Sequence, residues 1–324
     1  MCTAIARRDG DFYFGRSLDL DASFGERVVI VQRDFCFRFR MEPPMTHHYA
    51  MMGMATVEDG YPLYAEASNE CGLCAAGLNF PGNAHYFETA EEGNINLAPY
   101  ELIPYLLGSC SDLAEAKALL QDLNLVNRPF RKDIPLTSLH WLIADAGGAI
   151  VLESTAGGVR IYDDPAGVLT NNPPFGFHLQ NLSHYGNLSA KPAKSSFLKE
   201  SGAERFGLGL GGYGLPGDYS STSRFVRAAW LLKHAAEATE ESERVARYFH
   251  LLSAVSPVKG SVLTETGKYH YTLYSVCVNA TRGILYFHTA QNPEICAVEL
   301  ARYGAEGGEL VEIALPERAK FRFL

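Results

Sequence analysis

No apolar run in the 324-residue chain approaches the roughly 18 to 20 residues needed to cross a bilayer, and residues 1–15 lack the apolar stretch of a secretory leader. Positive charge is also in short supply. Lys and Arg number 28 against 37 Asp and Glu, and the net charge of -9 gives no electrostatic reason to approach nucleic acid or an anionic membrane. These shortages point to a cytoplasmic protein with small-molecule partners. Cysteine is sparse and odd in number: Cys2, Cys36, Cys71, Cys74, Cys110, Cys277 and Cys296. Without an export signal that set argues against a disulfide framework, and most of the thiols are expected to be small buried hydrophobes. The ten histidines, His47 and His48 among them, show no compact ligand spacing, so no metal is expected.

What is present is a 47% hydrophobic composition, enough for a sizeable core in a chain of this length. Alternating segments at 2–8 and 12–18 flank Asp9-Gly10-Asp11, and an Asp-Gly pair between such runs is a strong hairpin signal. Further strand character lies at 27–32, 72–80, 139–145, 149–154, 159–162, 270–279, 283–288 and 309–315. Helical spacing marks 98–107, 113–123, 221–238 and 240–254, with Asp112 and Glu115 in capping-box form. Strands and helices come in groups instead of alternating, which favours antiparallel sheets with helices layered outside them. Residues 181–217, rich in Gly, Ser, Lys and Pro, read as a long excursion from a single domain spanning 1–324.

Several motifs are set aside. Gly207, Gly209 and Gly212 satisfy G-x-G-x-x-G, but no strand precedes them and no helix follows. Cys71-Gly72-Leu73-Cys74 lacks a second pair to complete a zinc site and reads as two buried thiols. Ser196 and Lys199 match S-x-x-K without the other elements of a penicillin-binding serine site.

The N-terminus is more informative. Cys2 becomes the first residue once Met1 is removed, which small second residues permit. An α-amine of pKa about 7.7–8.0 then sits on the same residue as a thiol of about 8.5, so one residue supplies nucleophile and base. The hairpin carries Arg16 and Asp19 alongside: Arg16 can stabilise thiolate, and Asp19 can hold the amine. A two-residue loop pairs Cys2 with Ser17. A three-residue loop pairs it with Leu18 and puts Arg16 on the same face, which the chemistry prefers.

Six blocks carry a resemblance to a known family. They are Met1-Cys2-Thr3, Phe14-Gly15-Arg16 with Asp19, Ala76-Gly77-Leu78-Asn79-Phe80-Pro81, Leu139-His140-Trp141, Leu169-Thr170-Asn171-Asn172-Pro173 with Phe175, and Gly214-Leu215-Pro216-Gly217-Asp218 leading to Ser223-Arg224-Phe225. In order and over some two thirds of the chain, the sequence resembles the choloylglycine hydrolases, which comprise conjugated bile-salt hydrolases and penicillin V acylases within the N-terminal nucleophile superfamily. The resemblance implies an α+β fold, a four-layer αββα sandwich with two antiparallel sheets between helix layers. It implies Cys2 as nucleophile, its α-amine as proton acceptor, Asp19 orienting that amine, and Arg16 and Arg224 beside the sulfur. Asn79 and Asn171 would receive the charge developing on the amide oxygen, since Asn N–H groups suit that role. No cofactor is implied.

Leu18, Phe24, Phe130, Ile134 and Thr137 fall where the family's pocket loops lie, and Asn79 in place of a bulky aromatic resembles the bile-salt branch. The expected activity is hydrolysis of glycine- or taurine-conjugated bile acids, with penicillin V or another N-acyl amide as the alternative substrate. A catalytically silent binding protein is disfavoured by the complete set of site residues. Arg128, Arg131 and Lys132 around Phe130 could meet a conjugate's anionic end, but solvated cations are the preferred reading. The 181–217 excursion resembles the segment through which the family assembles, implying a homotetramer.

Overall fold

The computed structural model describes residues 1–192, 199–203, 207–319 and 323; Ser196 lies outside them. Elements are numbered in chain order. One antiparallel sheet runs β12 (Val168–Leu169), β1 (Cys2–Asp9), β2 (Asp11–Leu20), β13 (Tyr271–Asn279), β14 (Ile284–Thr289), β15 (Cys296–Glu299). The other runs β11 (Gly158–Asp163), β10 (Gly148–Thr155), β9 (Leu139–Asp145), β6 (Cys74–Asn79), β5 (Tyr61–Asn69), β4 (Met51–Glu58), β3 (Arg27–Val31), β16 (Leu310–Ala314). A small parallel pair joins β7 (Ile95–Leu97) to β8 (Leu123–Leu125).

Strand alternation builds the layers. Val28 and Ile30 face one core with Met52, Met54 and Leu142, while Val29 and Val31 face another with Leu102, Leu106 and Leu107 of α1 (Leu102–Ser109). The second core also takes Leu113 and Ala116 of α2 (Leu113–Leu119). On the far side, Phe225 and Ala228 of α4 (Ser221–His234) and Val245, Tyr248 and Leu252 of α5 (Glu241–Ser253) join the core of the six-stranded sheet. The result is helices, sheet, sheet, helices, as expected. Because β1 and β2 are covered on both faces, nearly every side chain of β2 is buried, including the charged Arg16 and Asp19. Charges in such a place require partners, and finding those partners locates the site.

Local signals explain most boundaries. The Asp112 carboxylate caps α2 by accepting from the N–H groups of Ala114 and Glu115, both at 2.9 Å. Helix α4 stops at His234 instead of 238, where the Arg7 guanidinium binds the carbonyls of Leu232, Ala235 and Ala236. The hairpin β4–β5 has no counterpart in the expected strands, because Met and Gly dilute its alternation. Its turn nevertheless carries Asp59-Gly60, with φ of 51° and 75°, the left-handed pair of a tight hairpin. Helix α3 (Phe175–Asn181) is likewise unanticipated.

Two further differences concern set-aside features. Cys71 is exposed on the turn between β5 and β6, so only Cys74 of that pair is a buried thiol. In the 181–217 excursion, Leu208 and Tyr213 are among the most exposed large apolar side chains described, at 96% and 82%.

Candidate active site

The hairpin register is the three-residue one: Asp9 pairs with Asp11, Ala4 with Arg16 and Cys2 with Leu18. On the other side of β2, Gly15 lets β13 approach closely, since a Cβ there would stand 1.9 Å from the Val276 carbonyl. Met1 still precedes Cys2, so the Cys2 nitrogen is an amide that stands where the cysteine's α-amine would be after Met1 removal. It donates to Asn171 Oδ1 at 2.9 Å. The Met1 amine donates to the Asp19 carbonyl at 2.9 Å and lies 3.1 Å from His270 Nε2. Burial, aided by Arg224 and Arg16, lowers the pKa of this amine, with Cys2 and Asp19 opposing.

Asp19 is buried with one carboxylate oxygen accepting from the Thr272 hydroxyl at 2.6 Å and the other, Oδ2, without a hydrogen-bond partner among the described residues. An orphaned carboxylate oxygen beside the chain start is a ready acceptor for an ammonium group.

Asn171 and Arg224 form a bracket behind Cys2. Arg224, fully buried at the start of α4, donates from Nη1 to the Cys2 carbonyl and to Thr3 Oγ1 (2.7 Å), from Nη2 to Asn171 Oδ1 (2.6 Å), and from Nε to the Tyr219 carbonyl (3.0 Å). Burial lowers its pKa against the pull of Asp19 and Cys2. Its described bonds therefore go to the Cys2 backbone, Thr3, Asn171 and Tyr219, and none goes to the sulfur. Asn171 Nδ2 donates to the Asn79 carbonyl at 2.8 Å, which commits one of its two amide hydrogens. The Asn79 amide group, lining the cavity beside Cys2, makes no hydrogen bond with the described residues, so it is the better placed of the two to meet a substrate oxygen.

Two buried histidines support this bracket, and the sequence reading gave them no role. His140 Nε2 lies 3.0 Å from the Thr170 carbonyl and its Nδ1 3.3 Å from Glu153; His178 Nε2 lies 2.9 Å from the Asn171 carbonyl. Glu153 also accepts the Phe175 N–H at 2.8 Å. The turn that presents Asn171 is thus clamped on its backbone.

Arg16, 1% exposed, donates from Nη1 to the Gly77 carbonyl at 2.6 Å, and its Nε is 3.6 Å from the carboxylate of Glu66. Burial opposes its charge, but Cys2, Glu66, Tyr274 and Asp19 outweigh that and raise its pKa.

In front of these groups opens a cavity of about 450 Å³, within the range of small-molecule sites. Cys2, Arg16 and Asn79 stand at one part, and the expected pocket residues Leu18, Phe24, Phe130, Ile134 and Thr137 all line it. Met54, Tyr64, Leu139, Trp141 and Tyr274 complete an apolar wall not anticipated from sequence. Asp19, Asn171 and Arg224 lie behind Cys2 and are not among the residues lining the cavity. Two of the three cations around Phe130 are engaged by protein groups instead of merely solvated: Arg131 pairs with Glu58 (3.1 Å), Asp59 (2.8 Å) and Asp133 (2.7 Å), and Arg128 binds the carbonyls of Asn127 and Glu88. Among the described residues, no group of three or more His, Cys, Asp or Glu is placed to hold a metal, and no helix is long and apolar enough to cross a membrane.

Two facing antiparallel sheets between helix layers, with a cysteine beginning the central hairpin and opening on an apolar cavity, define a hydrolase of the N-terminal nucleophile type. Residues 2–311 match the family described as linear amide C–N hydrolases, choloylglycine hydrolase family, and the chain belongs to that family. It is 43% identical over 321 residues to the bile salt hydrolase/transferase of Lactiplantibacillus plantarum, covering 99% of each chain. The crystal structure of a mutant conjugated bile acid hydrolase from Clostridium perfringens superposes with a TM-score of 0.93 at 33% identity, over 100% of both chains. Penicillin V acylase from Agrobacterium tumefaciens shares the fold, with a TM-score of 0.75 at 18% identity over 98% of this chain and 92% of that one.

Proposed function

We propose that this chain hydrolyses the amide bond of glycine- or taurine-conjugated bile acids, with Cys2 as nucleophile. The observation that carries the reading is the cavity, where an apolar wall meets Cys2, Arg16 and Asn79 at one part. A rigid, mostly apolar steroid acyl group fits such a wall, and its amide then reaches the sulfur.

After Met1 removal, the α-amine of Cys2 takes the thiol proton and Sγ attacks the carbonyl carbon. Asn79 donates to the resulting oxyanion. Asn171 Oδ1 and the free oxygen of Asp19 hold the ammonium, while Arg224 fixes the Cys2 carbonyl and Asn171, as the ammonium passes its proton to the departing nitrogen; the C–N bond breaks and glycine or taurine leaves. Water then attacks the thioester, the sulfur departs, and the acid is released. The Lactiplantibacillus relative's name also includes transfer, and an amino acid's amine in place of that water would yield a new conjugate.

Amine release from glycocholate, taurocholate and penicillin V at matched concentrations, with Cys2→Ala as control, tests this reading. Preferential release of glycine or taurine supports it; dominant cleavage of penicillin V assigns the chain to the acylase activity instead. Retaining Met1 should inactivate the enzyme, and an active Met1-bearing protein refutes the role of the α-amine. We propose further that the protein is cytoplasmic, that 1–324 is one domain and that it assembles as a homotetramer through 181–217. The exposed Leu208 and Tyr213 are in keeping with assembly. Light scattering tests that last point.

A further inference from the structure

Beneath the nucleophile a carboxylate bridges the two sheets. Glu66, on β5 of the eight-stranded sheet, is 1% exposed. It accepts the Tyr274 hydroxyl with both oxygens, at 2.9 and 3.1 Å, from β13 of the other sheet. Tyr274 stands opposite Leu18, which stands opposite Cys2. Among the described residues the same carboxylate is the only acid within ion-pair distance of Arg16. Among the described residues, the buried Arg16 Nη2 has no hydrogen-bond partner. A buried guanidinium with one acid beside it and a thiol in front divides its field between the two.

We propose that Glu66 is a positioning residue of the hydrolase: held by the Tyr274 hydroxyl, its carboxylate fixes Arg16 and sets how much of that guanidinium's positive charge reaches the Cys2 sulfur. The proposal rests on the reading of Cys2 as nucleophile. An ionised Glu66 neutralises part of Arg16 and weakens its hold on thiolate; a protonated Glu66 leaves Arg16 to the sulfur. Three groups face Glu66. Arg16 on β2 and Tyr274 on β13 favour its ionised form, and Glu26, from the loop before β3, disfavours it. Burial outweighs the first two and pushes Glu66 up to about 7. Loss of its proton as pH rises through 7 then opposes the ionisation of Cys2.

The test is the pH dependence of Cys2 alkylation by iodoacetamide on the Met1-processed enzyme. It is followed by mass at Cys2, with Cys2→Ala reporting the other thiols. In Glu66→Gln the hydrogen bond from Tyr274 has an acceptor but the negative charge is gone. The alkylation midpoint should fall by about one pH unit, and the acid limb of kcat/KM should move with it. Tyr274→Phe, which strips the carboxylate of its hydroxyl partner, should shift the midpoint the same way by less, and Glu66→Asp should restore it towards wild type. A purely structural role predicts a lower melting temperature with unchanged midpoints. Superimposable alkylation and rate profiles for wild type, Glu66→Gln and Tyr274→Phe would overturn the proposal. Should Cys2→Ala retain hydrolysis, the nucleophile reading itself fails, whatever Glu66 does.

Discussion

Replacing Asn171 by leucine leaves three groups short of a partner at once: the buried nitrogen of Cys2, the buried Nη2 of Arg224 and the partly buried carbonyl of Asn79. At about 1–3 kcal/mol for each, the variant should lose roughly 3–9 kcal/mol of folding stability. That is a large part of the 5–15 kcal/mol typical of a domain. The kinetic effect follows from position. Asn171 holds the nitrogen that must both receive and deliver a proton, and displacement of a reacting group by about 1 Å costs on the order of 100-fold in rate. Asn171→Asp separates the two effects. It keeps oxygen acceptors for Cys2 and Arg224 and loses only the donor to Asn79, so it should unfold about 1–3 kcal/mol earlier and retain more of kcat than the leucine variant. Urea unfolding and single-substrate kinetics on glycocholate measure both. A leucine variant within 1 kcal/mol of wild type and with unchanged kcat would refute the bracket described for Asn171.

Other outcomes follow from the same geometry. Gly15→Ala forces a Cβ against the Val276 carbonyl, so it should cost about 1–3 kcal/mol or more, read by thermal melting. It should also lower activity through the neighbouring Arg16; a fully stable, active variant would contradict the close approach. Arg131→Leu unties the loop around Phe130 from Glu58 and Asp59. KM should rise about two- to fivefold at low salt with kcat unchanged, and the gap should close at high salt; a gap indifferent to salt would refute the ionic tie. His178 is held below the ordinary imidazole pKa by burial, with His140 adding to the effect. The unfolded chain takes up a proton near pH 6.5 that the folded chain refuses, so the contribution is intact above that pH. It is lost as pH falls, by at most about 1.4 kcal/mol per pH unit. His178→Gln, which can still donate to Asn171, should show a shallower acid limb in urea unfolding between pH 5 and 8; an unaltered limb would argue against a buried neutral His178.

How far the sequence discloses this molecule depends on where each signal resides. The hairpin is legible because Asp9-Gly10-Asp11 is a local signal, and its register follows from asking which pairing helps Cys2. Hairpin β4–β5 is not: Met51-Met52-Gly53-Met54 has little β signature, and its burial comes from two cores that exist only in the folded sandwich. Cys2, Arg16 and Asp19 come within reach by reading one hairpin, whereas Asn79, Asn171 and Arg224 arrive from distant segments and are found only through the family's blocks. Glu66 has no such signal. In Tyr64-Ala65-Glu66-Ala67 it looks like the polar face of an alternating strand, and nothing local says that both faces are covered. The cations around Phe130 look available in sequence because the acids that engage Arg131 include Glu58 and Asp59, more than 70 positions away.

The central claim is that the acyl group passes through the sulfur of Cys2, and trapping it is the most direct test. Processed enzyme mixed with excess glycocholate is quenched in acid within the first turnovers, and the intact protein and its N-terminal peptide are weighed. The account predicts an adduct of the cholyl group on Cys2, released by hydroxylamine, formed with stoichiometric glycine and absent from Cys2→Ala. Glycine release with no adduct at any quench time, or with the adduct on another residue, would contradict it.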